Sequence, residues 1–296
     1  MKKTLFTGVA TALVTPMNLD GSVDYKSLDK LVDWQIKEGV SALVACGTTG
    51  EASTLTDEEH RNVIRHVVEK ADKRVPVIAG TGSNDLEYAL SLTKYACEAG
   101  ADAVLTVTPY YNKATQAGLV QMYTKLAEES TAPVILYNVP SRTGVNIAPS
   151  TYKALADHKN IIAIKEANGD ISKIVETMSY VNDKLDLYSG NDDQIVPLMS
   201  LGGKGVISVV SNILPAKTSL LVKKCLDGDY KGAAQIQYEL HAVIDSLFSE
   251  VNPIPVKAAT AKMGYGTNTL RLPLTPMSED KYEKMLKLMR EQGLDV

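Results

Sequence analysis

The sequence contains few of the residues that build disulfide frameworks or metal sites. Its 296 residues include only three cysteines and four histidines, namely Cys46, Cys97, Cys225, His60, His66, His158 and His241. The cysteines are too scattered for a disulfide framework, and no two stand at the spacing of metal ligands. The histidines form no H-E-x-x-H motif and pair with no nearby cysteine, so we interpret each as a surface or helix-face residue. We therefore expect a reduced protein without a metal.

The sequence also lacks a basic run and a long apolar run. Its 31 basic and 35 acidic residues give a net charge of −4, so nucleic-acid binding lacks its usual positive surface. The longest apolar runs are strand-sized, well short of the roughly 20 residues that span a bilayer. Two lysines precede an apolar stretch at the N-terminus, but Thr7, Gly8, Thr11 and Pro16 interrupt it, and we interpret it as a first strand and not a signal peptide. These features predict a soluble, cytoplasmic protein with no membrane partner.

Short apolar runs alternate with amphipathic stretches along most of the chain. Amphipathic segments such as "SLDKLVDWQIKEG" repeat their apolar residues at helical spacing. The predicted strands begin near Val9, Ala42, Val75, Ala103, Val134, Ile161, Leu185 and Gly205. Such alternation predicts an α/β fold, a (β/α)8 TIM barrel. An open doubly wound sheet is the alternative, although the glycine turn "GTGSND" lacks the third glycine of the dinucleotide-binding motif.

Beyond about Leu214 the pattern becomes helical. Four segments follow: "AKTSLLVKKCLDGDY", "KGAAQIQYELHAVIDSLF", "IPVKAATAKMGYG" and "EDKYEKMLKLMREQG". A barrel needs only one helix after its eighth strand, so we predict a barrel over 1–224 and a C-terminal helical extension over 225–296. No linker rich in proline, glycine or serine separates them, which predicts that the extension packs on the barrel.

The strand ends hold the chemistry of a barrel enzyme, because active sites lie at the C-terminal ends of its strands. In "IIAIKEANGD", Lys165 follows four apolar residues, and it could simply reach water at the end of a strand. Alternatively, a poorly hydrated lysine loses its proton more easily, and its neutral amine can attack a carbonyl to form a Schiff base.

Neighbouring strand ends add hydroxyls and an arginine, each with a plainer interpretation when taken alone. "CGTTGE" with Thr48 and Thr49 could be a tight turn or a phosphate cradle, Tyr137 could be a barrel-filling aromatic, and Arg142 could be a surface or interface residue. Together they supply proton relays and donors for an anionic substrate, as imine chemistry requires. The combination favours Lys165 as an imine-forming lysine.

At these residues the sequence resembles the family of pyruvate-dependent class I aldolases that includes N-acetylneuraminate lyase and dihydrodipicolinate synthase. The resemblance extends from "VATALVTP" to "LRLPLTP" and includes, in family order, "GTTGE", "VTPYYN", "YNVPSRTG", "AIKEA", "GGKGVISV" and "NPIPVK". "GTTGE" together with "YNVPSRTG" is similar to the branch that condenses pyruvate with L-aspartate 4-semialdehyde to 4-hydroxy-tetrahydrodipicolinate. That branch serves the diaminopimelate and lysine pathway and uses no metal or organic cofactor.

The resemblance also implies roles for individual residues. Lys165 would form the Schiff base with pyruvate, and Tyr137 would donate and accept protons through a relay with Thr48 and Tyr111. Tyr111 would reach in from a neighbouring subunit of a homotetramer, usually a dimer of dimers.

Four further residues would bind the substrates. Thr49 would hold the pyruvate carboxylate, and Arg142 would hold the carboxylate of the semialdehyde. Backbone carbonyls of Gly190 and Ile207 would line the pocket near the lysine.

Many bacterial family members bind lysine as an inhibitor at a subunit interface. The matching positions here are Ala52, Ser53, Asp57, His60, Asn84, Tyr88 and Tyr110. Inhibited relatives tend to carry an acidic residue where Tyr88 stands, and often a histidine where Asp57 stands. Because Tyr88 cannot supply a carboxylate to the ammonium of the ligand, we predict that lysine inhibits weakly or not at all.

Two other functions remain open on the sequence. One is a pyruvate-dependent lyase or aldolase for sialic acid or a keto-deoxy sugar acid, favoured only if Arg142 points elsewhere. The other is a non-catalytic small-molecule binding protein, which would have no use for a proton relay.

Overall fold

The computed structural model describes residues 2–296, in which eight parallel strands form a closed barrel. Each strand pairs with the next along the chain, and β1 pairs with β8 through the register Val9 to Val206. The strands are β1 Gly8–Ala12, β2 Ala42–Ala45, β3 Val77–Gly80, β4 Ala103–Val107, β5 Val134–Asn138, β6 Ile161–Glu166, β7 Asp186–Ser189 and β8 Gly205–Ser208. The predicted (β/α)8 TIM barrel is confirmed.

Helices follow the strands and form the outer layer. The barrel helices are α1 Tyr25–Lys37, α2 Asp57–Ala71, α3 Leu86–Glu98, α4 Gln116–Glu129, α5 Pro140–Thr143, α6 Pro149–Leu155, α7 Ile171–Val181, α8 Ile195–Ser200 and α9 Pro215–Leu226. Three helices form the C-terminal extension: α10 Tyr230–Leu247, α11 Ile254–Lys262 and α12 Glu279–Glu291. Short 3-10 turns at Asp192–Gln194 and Val210–Asn212 follow β7 and β8.

Two strands begin slightly later than the apolar runs suggest. The third run starts at Val75, but Pro76 has no N–H for a ladder hydrogen bond, and β3 begins at Val77. The seventh run starts at Leu185, whose N–H is bonded to Val181 O at the end of α7, so β7 begins one residue later. In both places local hydrogen bonding, and not the start of the apolar run, determines the first residue of the strand.

The barrel closes at a backbone contact that only glycine permits. A Cβ on Gly205 would lie 1.8 Å from the carbonyl oxygen of Gly8 on the facing strand. Closure of β8 onto β1 therefore requires glycine at this position, which explains the third glycine of the "GGKGVISV" segment.

Apolar side chains pack in two layers, inside the barrel and between the strands and helices. On β6, Ala163 faces the interior cluster and Ile164 faces the helices. Because side chains alternate along a strand, Lys165 continues the inward row and Glu166 the outward row. The strand that seemed to end in two adjacent charges therefore sends them to opposite faces.

The extension packs on the barrel and reaches its C-terminal face. Helix α10 packs against α8 and α9, and α12 packs against α10 and α11. Helix α11 contacts the turn that follows β8. Helix α9 runs across the predicted boundary at residue 224, so no break in the chain separates the two parts.

Candidate active site

Lys165 and Tyr137 form the centre of the site. They are register partners at the ends of β6 and β5, and both point into the barrel. Lys165 is only 6% exposed and Tyr137 only 8%, and the lysine Nζ lies 4.2 Å from the centre of the tyrosine ring. The amine therefore sits beside a tyrosine in a pocket that is nearly closed to bulk water.

Burial gives this lysine an unusual acidity. Desolvation lowers the pKa of Lys165 from 10.5 to about 7, an effect that the Asp192 charge opposes and the Arg142 charge reinforces. An amine with a pKa of about 7 is about half neutral at pH 7. Lys165 can thus act as a nucleophile without an external base.

Tyr137 is arranged to exchange protons. Burial raises its pKa above 10, while the nearby Arg142 charge and a hydrogen bond with the Thr48 side chain lower it. The phenol is therefore protonated at neutral pH, and the Thr48 hydroxyl beside it is a group that can accept and donate a proton.

The loop after β2 places both threonines at the mouth of the barrel. Its flanking residues, Cys46 and Glu51, both adopt left-handed backbone conformations, with φ of 55° and 56°. A Cβ on Gly80 would lie 2.1 Å from Cys46 O, so the loop packs directly on the end of β3. Thr49 is buried, and its Oγ1 accepts a hydrogen bond of 3.0 Å from Asn252 Nδ2. The loop is therefore fixed by the C-terminal extension.

Arg142 lies at the rim of the same mouth. It is exposed on the short helix α5, and its Nη2 donates to Asn252 O at 3.2 Å. Asn252 thus contacts Thr49 with its side chain and Arg142 with its carbonyl. The two predicted carboxylate-binding residues share one anchor in the extension.

Of the two predicted pocket-lining residues, Gly190 lies close to the lysine. Gly190 N donates to Glu166 O at 2.7 Å, and a Cβ on Gly190 would lie 3.2 Å from Lys165 Cε. Ile207 is fully buried in the interior row of β8. Gly190 therefore leaves room for the lysine side chain, a need that the pattern "SGNDD" alone does not reveal.

The chain matches the family model described as "Dihydrodipicolinate synthetase family" over residues 5–292. The chain belongs to this family. A 4-hydroxy-tetrahydrodipicolinate synthase of Lachnoclostridium phytofermentans is 54% identical over 292 residues, 98% of this chain and 99% of the relative. That of Acetivibrio thermocellus is 52% identical over 294 residues, 99% of this chain and 100% of the relative.

A solved structure extends the likeness to three dimensions. The chloride-inhibited dihydrodipicolinate synthase from Acinetobacter baumannii, complexed with pyruvate, has a TM-score of 0.95 and 46% identity. The alignment covers 98% of this chain and 99% of that chain. The predicted family and enzyme class, a lyase of the class I aldolase type, are confirmed.

Tyr111 stands apart from the buried centre of this family member. It is 91% exposed and adopts a left-handed conformation with φ of 67° in the loop after β4. Its neighbour Tyr110 is less exposed, and Asn112 Nδ2 donates to Asn84 O at 2.8 Å. Within this chain, the structure does not bring Tyr111 into the buried pocket with Lys165.

The predicted effector positions differ widely in accessibility. His60 is buried, its Nε2 lies 2.8 Å from Gly80 O, and burial lowers its pKa. Asp57 is exposed and pairs with Arg61 at 2.9 Å, and its pKa is lowered first by Arg61 and also by Tyr88. The remaining positions are wholly or partly exposed: Ala52, Ser53, Asn84, Tyr88 and Tyr110. His60 therefore faces the core and not this surface.

A buried polar cluster lies on the outward face of β5 and β6. Glu166 accepts hydrogen bonds from Asn138 Nδ2 at 2.9 Å, from Tyr152 Oη at 3.0 Å and from Asn168 N at 2.9 Å. Burial raises the pKa of Glu166 to about 7, although these donors lower it. The cluster fixes the end of the strand that carries Lys165, which gives Glu166 a supporting role that the sequence pattern did not identify.

Two further residues near the site escaped the sequence reasoning. Asp192, in the turn after β7, is 2% exposed and acts electrostatically on Lys165. Asn252 begins the "NPIPVK" segment and joins Thr49 to Arg142. An acidic residue three positions after the end of β7 was a visible signal for Asp192, whereas nothing local in the sequence indicated the long-range role of Asn252.

Metal and membrane signals are absent from the described part of the chain. Within residues 2–296, no group of three or more His, Cys, Asp or Glu side chains could hold a metal ion. No helix in the same range is both long enough and apolar enough to cross a membrane.

Proposed function

We propose that the chain condenses pyruvate with L-aspartate 4-semialdehyde to 4-hydroxy-tetrahydrodipicolinate in the cytoplasm, through an imine on Lys165. The observation that carries this proposal is a buried lysine, with a pKa of about 7, whose Nζ lies 4.2 Å from the ring of a buried tyrosine. A neutral amine in that position has a nucleophilic lone pair and a proton donor at hand.

The reaction begins when neutral Nζ attacks the keto carbon of pyruvate. The Tyr137 hydroxyl protonates the carbinolamine oxygen, water leaves, and an iminium remains on the lysine. Loss of a methyl proton to the tyrosinate gives the enamine and restores the phenol. The enamine carbon then attacks the aldehyde, the iminium forms again, and the phenol protonates the new alkoxide to give the hydroxyl of the product. The amine of the semialdehyde then attacks the iminium carbon, closes the ring and releases Lys165. The iminium is itself the electron sink, so the proposed chemistry uses neither a metal nor an organic cofactor.

The remaining predicted residues bind the substrate carboxylates or relay protons. Thr49 holds the pyruvate carboxylate with its amide and hydroxyl, and Arg142 at the rim holds the carboxylate of the semialdehyde with a planar fork of donors. Thr48 passes protons between Tyr137 and Tyr111. Because Tyr111 is 91% exposed in the loop after β4, we propose that it completes the relay of a neighbouring subunit in a homotetramer.

Borohydride trapping tests the imine. Wild type incubated with pyruvate and borohydride is expected to carry a reduced adduct on the peptide containing Lys165. Lys165→Arg is expected to show no adduct, because a guanidinium stays protonated. Lys173→Arg is the matched control, since Lys173 is exposed and pairs with Glu176 at 2.7 Å. Trapping on another lysine would contradict the assignment.

Aldehyde choice tests the second substrate. Turnover with pyruvate is measured with L-aspartate 4-semialdehyde, N-acetylmannosamine and simple sugar aldehydes, with chelator present and with wild type beside Arg142→Ala. We expect only the semialdehyde to react, and the variant to lose most of that activity. Preference for a sugar aldehyde would replace the proposal with a sugar-acid aldolase. No turnover with any aldehyde would favour a binding protein.

We also propose that lysine inhibits weakly or not at all. The side chain at position 88 is a tyrosine, which lowers the pKa of the Asp57 carboxyl, and that carboxylate is already paired with Arg61. Neither residue offers a free carboxylate to the ammonium of a ligand. Strong inhibition by millimolar lysine in a steady-state assay would contradict this proposal.

A further inference from the structure

Asp192 is a buried carboxyl that has no role in the mechanism proposed above. It opens the 3-10 turn after β7 and is 2% exposed. Its Oδ2 accepts hydrogen bonds from Val209 N at 2.9 Å and Val210 N at 2.8 Å, in the turn after β8. Burial raises the pKa of this carboxyl, whereas the two amides and the Lys165 charge lower it. These donors suit the ionised form and hold the side chain in one orientation.

The other oxygen of the same carboxyl has no partner. Asp192 Oδ1 is fully buried, yet it accepts no hydrogen bond from any residue in the range 2–296. Leaving a buried carboxylate oxygen unpaired costs free energy. A positive charge nearby would offset this cost by electrostatic attraction.

The segment that carries Asp192 lies against the lysine. Gly190, two residues before Asp192, lies against Lys165, where an added Cβ would be 3.2 Å from Cε. Asp192 and Arg142 are the two charged groups that act on the Lys165 ammonium, and their effects are opposite. The Tyr137 phenol also faces the lysine, but it is neutral at neutral pH because burial raises its pKa. Glu166, although adjacent in sequence, belongs to the outward face, where other side chains enclose it.

We propose that Asp192 is a positioning residue that supplies the fixed counter-charge of the cation on Lys165, first the ammonium and then the pyruvate iminium. The inference rests on the proposed function, since it presupposes the imine. Asp192 would stabilise the ammonium and the iminium by the same through-space attraction. The free amine and the enamine, which are neutral, gain nothing from it.

This equal effect on two cations predicts a pattern that general damage to the pocket would not produce. Without the charge, the pKa of Lys165 falls, and the iminium is destabilised to the same extent. Below the pKa of Lys165, pyruvate binding converts the ammonium into the iminium. Both are cations, so loss of the Asp192 charge leaves the affinity for pyruvate unchanged. Above this pKa, binding converts a neutral amine into a cation, so the affinity falls.

The experiment compares Asp192→Asn with Asp193→Asn, the exposed carboxyl next to it. The dissociation constant of pyruvate is measured by calorimetry from about pH 5.5 to 9, and the wild-type imine is verified by borohydride trapping. One nearby opposite charge displaces a pKa by about one pH unit or more, which corresponds to about tenfold in affinity. We therefore expect Asp192→Asn to match wild type at the acid end and to bind about tenfold more weakly at the alkaline end. Asp193→Asn is expected to follow wild type throughout.

A second variant protects the test against misfolding. The amide of Asp192→Asn would place a donor where Oδ1 now lies, whereas Asp192→Ser removes the charge and keeps a hydroxyl for Val209 N or Val210 N. Both folded variants must show the same pH-dependent loss. If the affinity for pyruvate falls equally at all pH values, or does not fall, the proposed role of Asp192 is wrong. A trapped adduct in wild type would still support the imine in that case. Absence of a trapped adduct in wild type overturns the imine and this inference together.

Discussion

A buried ion pair joins the C-terminal extension to the loop after β2, and breaking it should destabilise the protein. Lys257 Nζ on α11 contacts Glu51 Oε1, and the two side chains are 2% and 0% exposed. The second oxygen, Glu51 Oε2, has no hydrogen-bond partner among residues 2–296. Replacing Lys257 with methionine therefore leaves a buried carboxylate alone, two residues after Thr49.

The expected cost follows from the burial. Removing one member of a buried pair destabilises by about 3–5 kcal/mol, because the other charge stays desolvated and uncompensated. The entropy of unfolding is about 2.1 cal/mol/K per residue, which for 296 residues gives about 0.6 kcal/mol/K. Lys257→Met should thus lower Tm by about 5–8 °C.

Thermal denaturation of four proteins tests this reasoning. Glu51→Gln/Lys257→Met removes both charges and should recover a large part of the lost Tm, whereas Lys262→Met, an exposed lysine on the same helix, should leave Tm unchanged. Because Glu51 anchors the threonine loop, Lys257→Met should also raise the KM for pyruvate. A Tm for Lys257→Met within about 1 °C of wild type would refute the argument, since it would show that Glu51 is neutral or solvated without Lys257.

Three further predictions concern the catalytic pocket. Tyr137→Phe should reduce kcat by about 10²–10⁴-fold while borohydride still traps residual imine, because the proton donor is lost and the amine remains. Gly190→Ala should lower kcat/KM for pyruvate by at least about tenfold, since the new Cβ would lie 2.9 Å from Ala167 Cβ and 3.2 Å from Lys165 Cε; unchanged kinetics would show that the lysine has room to move. The initial rate of imine formation in wild type should rise with pH and level off above about 7, as the Lys165 ammonium loses its proton; a midpoint near the ordinary lysine value of about 10.4 in stopped-flow trapping would contradict the burial argument.

The barrel was predictable because its signal is local and repeated. Runs such as Ile161–Ile164 are buried on both faces only in a parallel sheet covered by helices, and their alternation with amphipathic segments indicates the topology. The same rule placed Lys165, Tyr137 and Thr48 at one mouth, since parallel strands in a barrel all end on one face.

The partners of those residues were not predictable in the same way. The hydrogen bond from Asn252 to Thr49 joins residues 203 positions apart, and the carboxyl of Asp192 is oriented by amides on a different loop. No periodicity records such contacts, because they depend on how the extension and the loops meet above the barrel. His60 shows the converse, since a residue that the resemblance places in an effector site at a subunit interface lies buried against Gly80 O.

The sequence by itself determined the order of strands and helices, the face on which the chemistry lies and the kind of nucleophile, because these follow from short-range pattern and residue type. Only the tertiary structure decided how acidic that nucleophile is. The pKa of Lys165 depends on the water excluded by the closed barrel and on the charges of Asp192 and Arg142, which approach it from other strand ends. Desolvation and through-space attraction are set by distance in three dimensions, and the chain acquires those distances only when it folds.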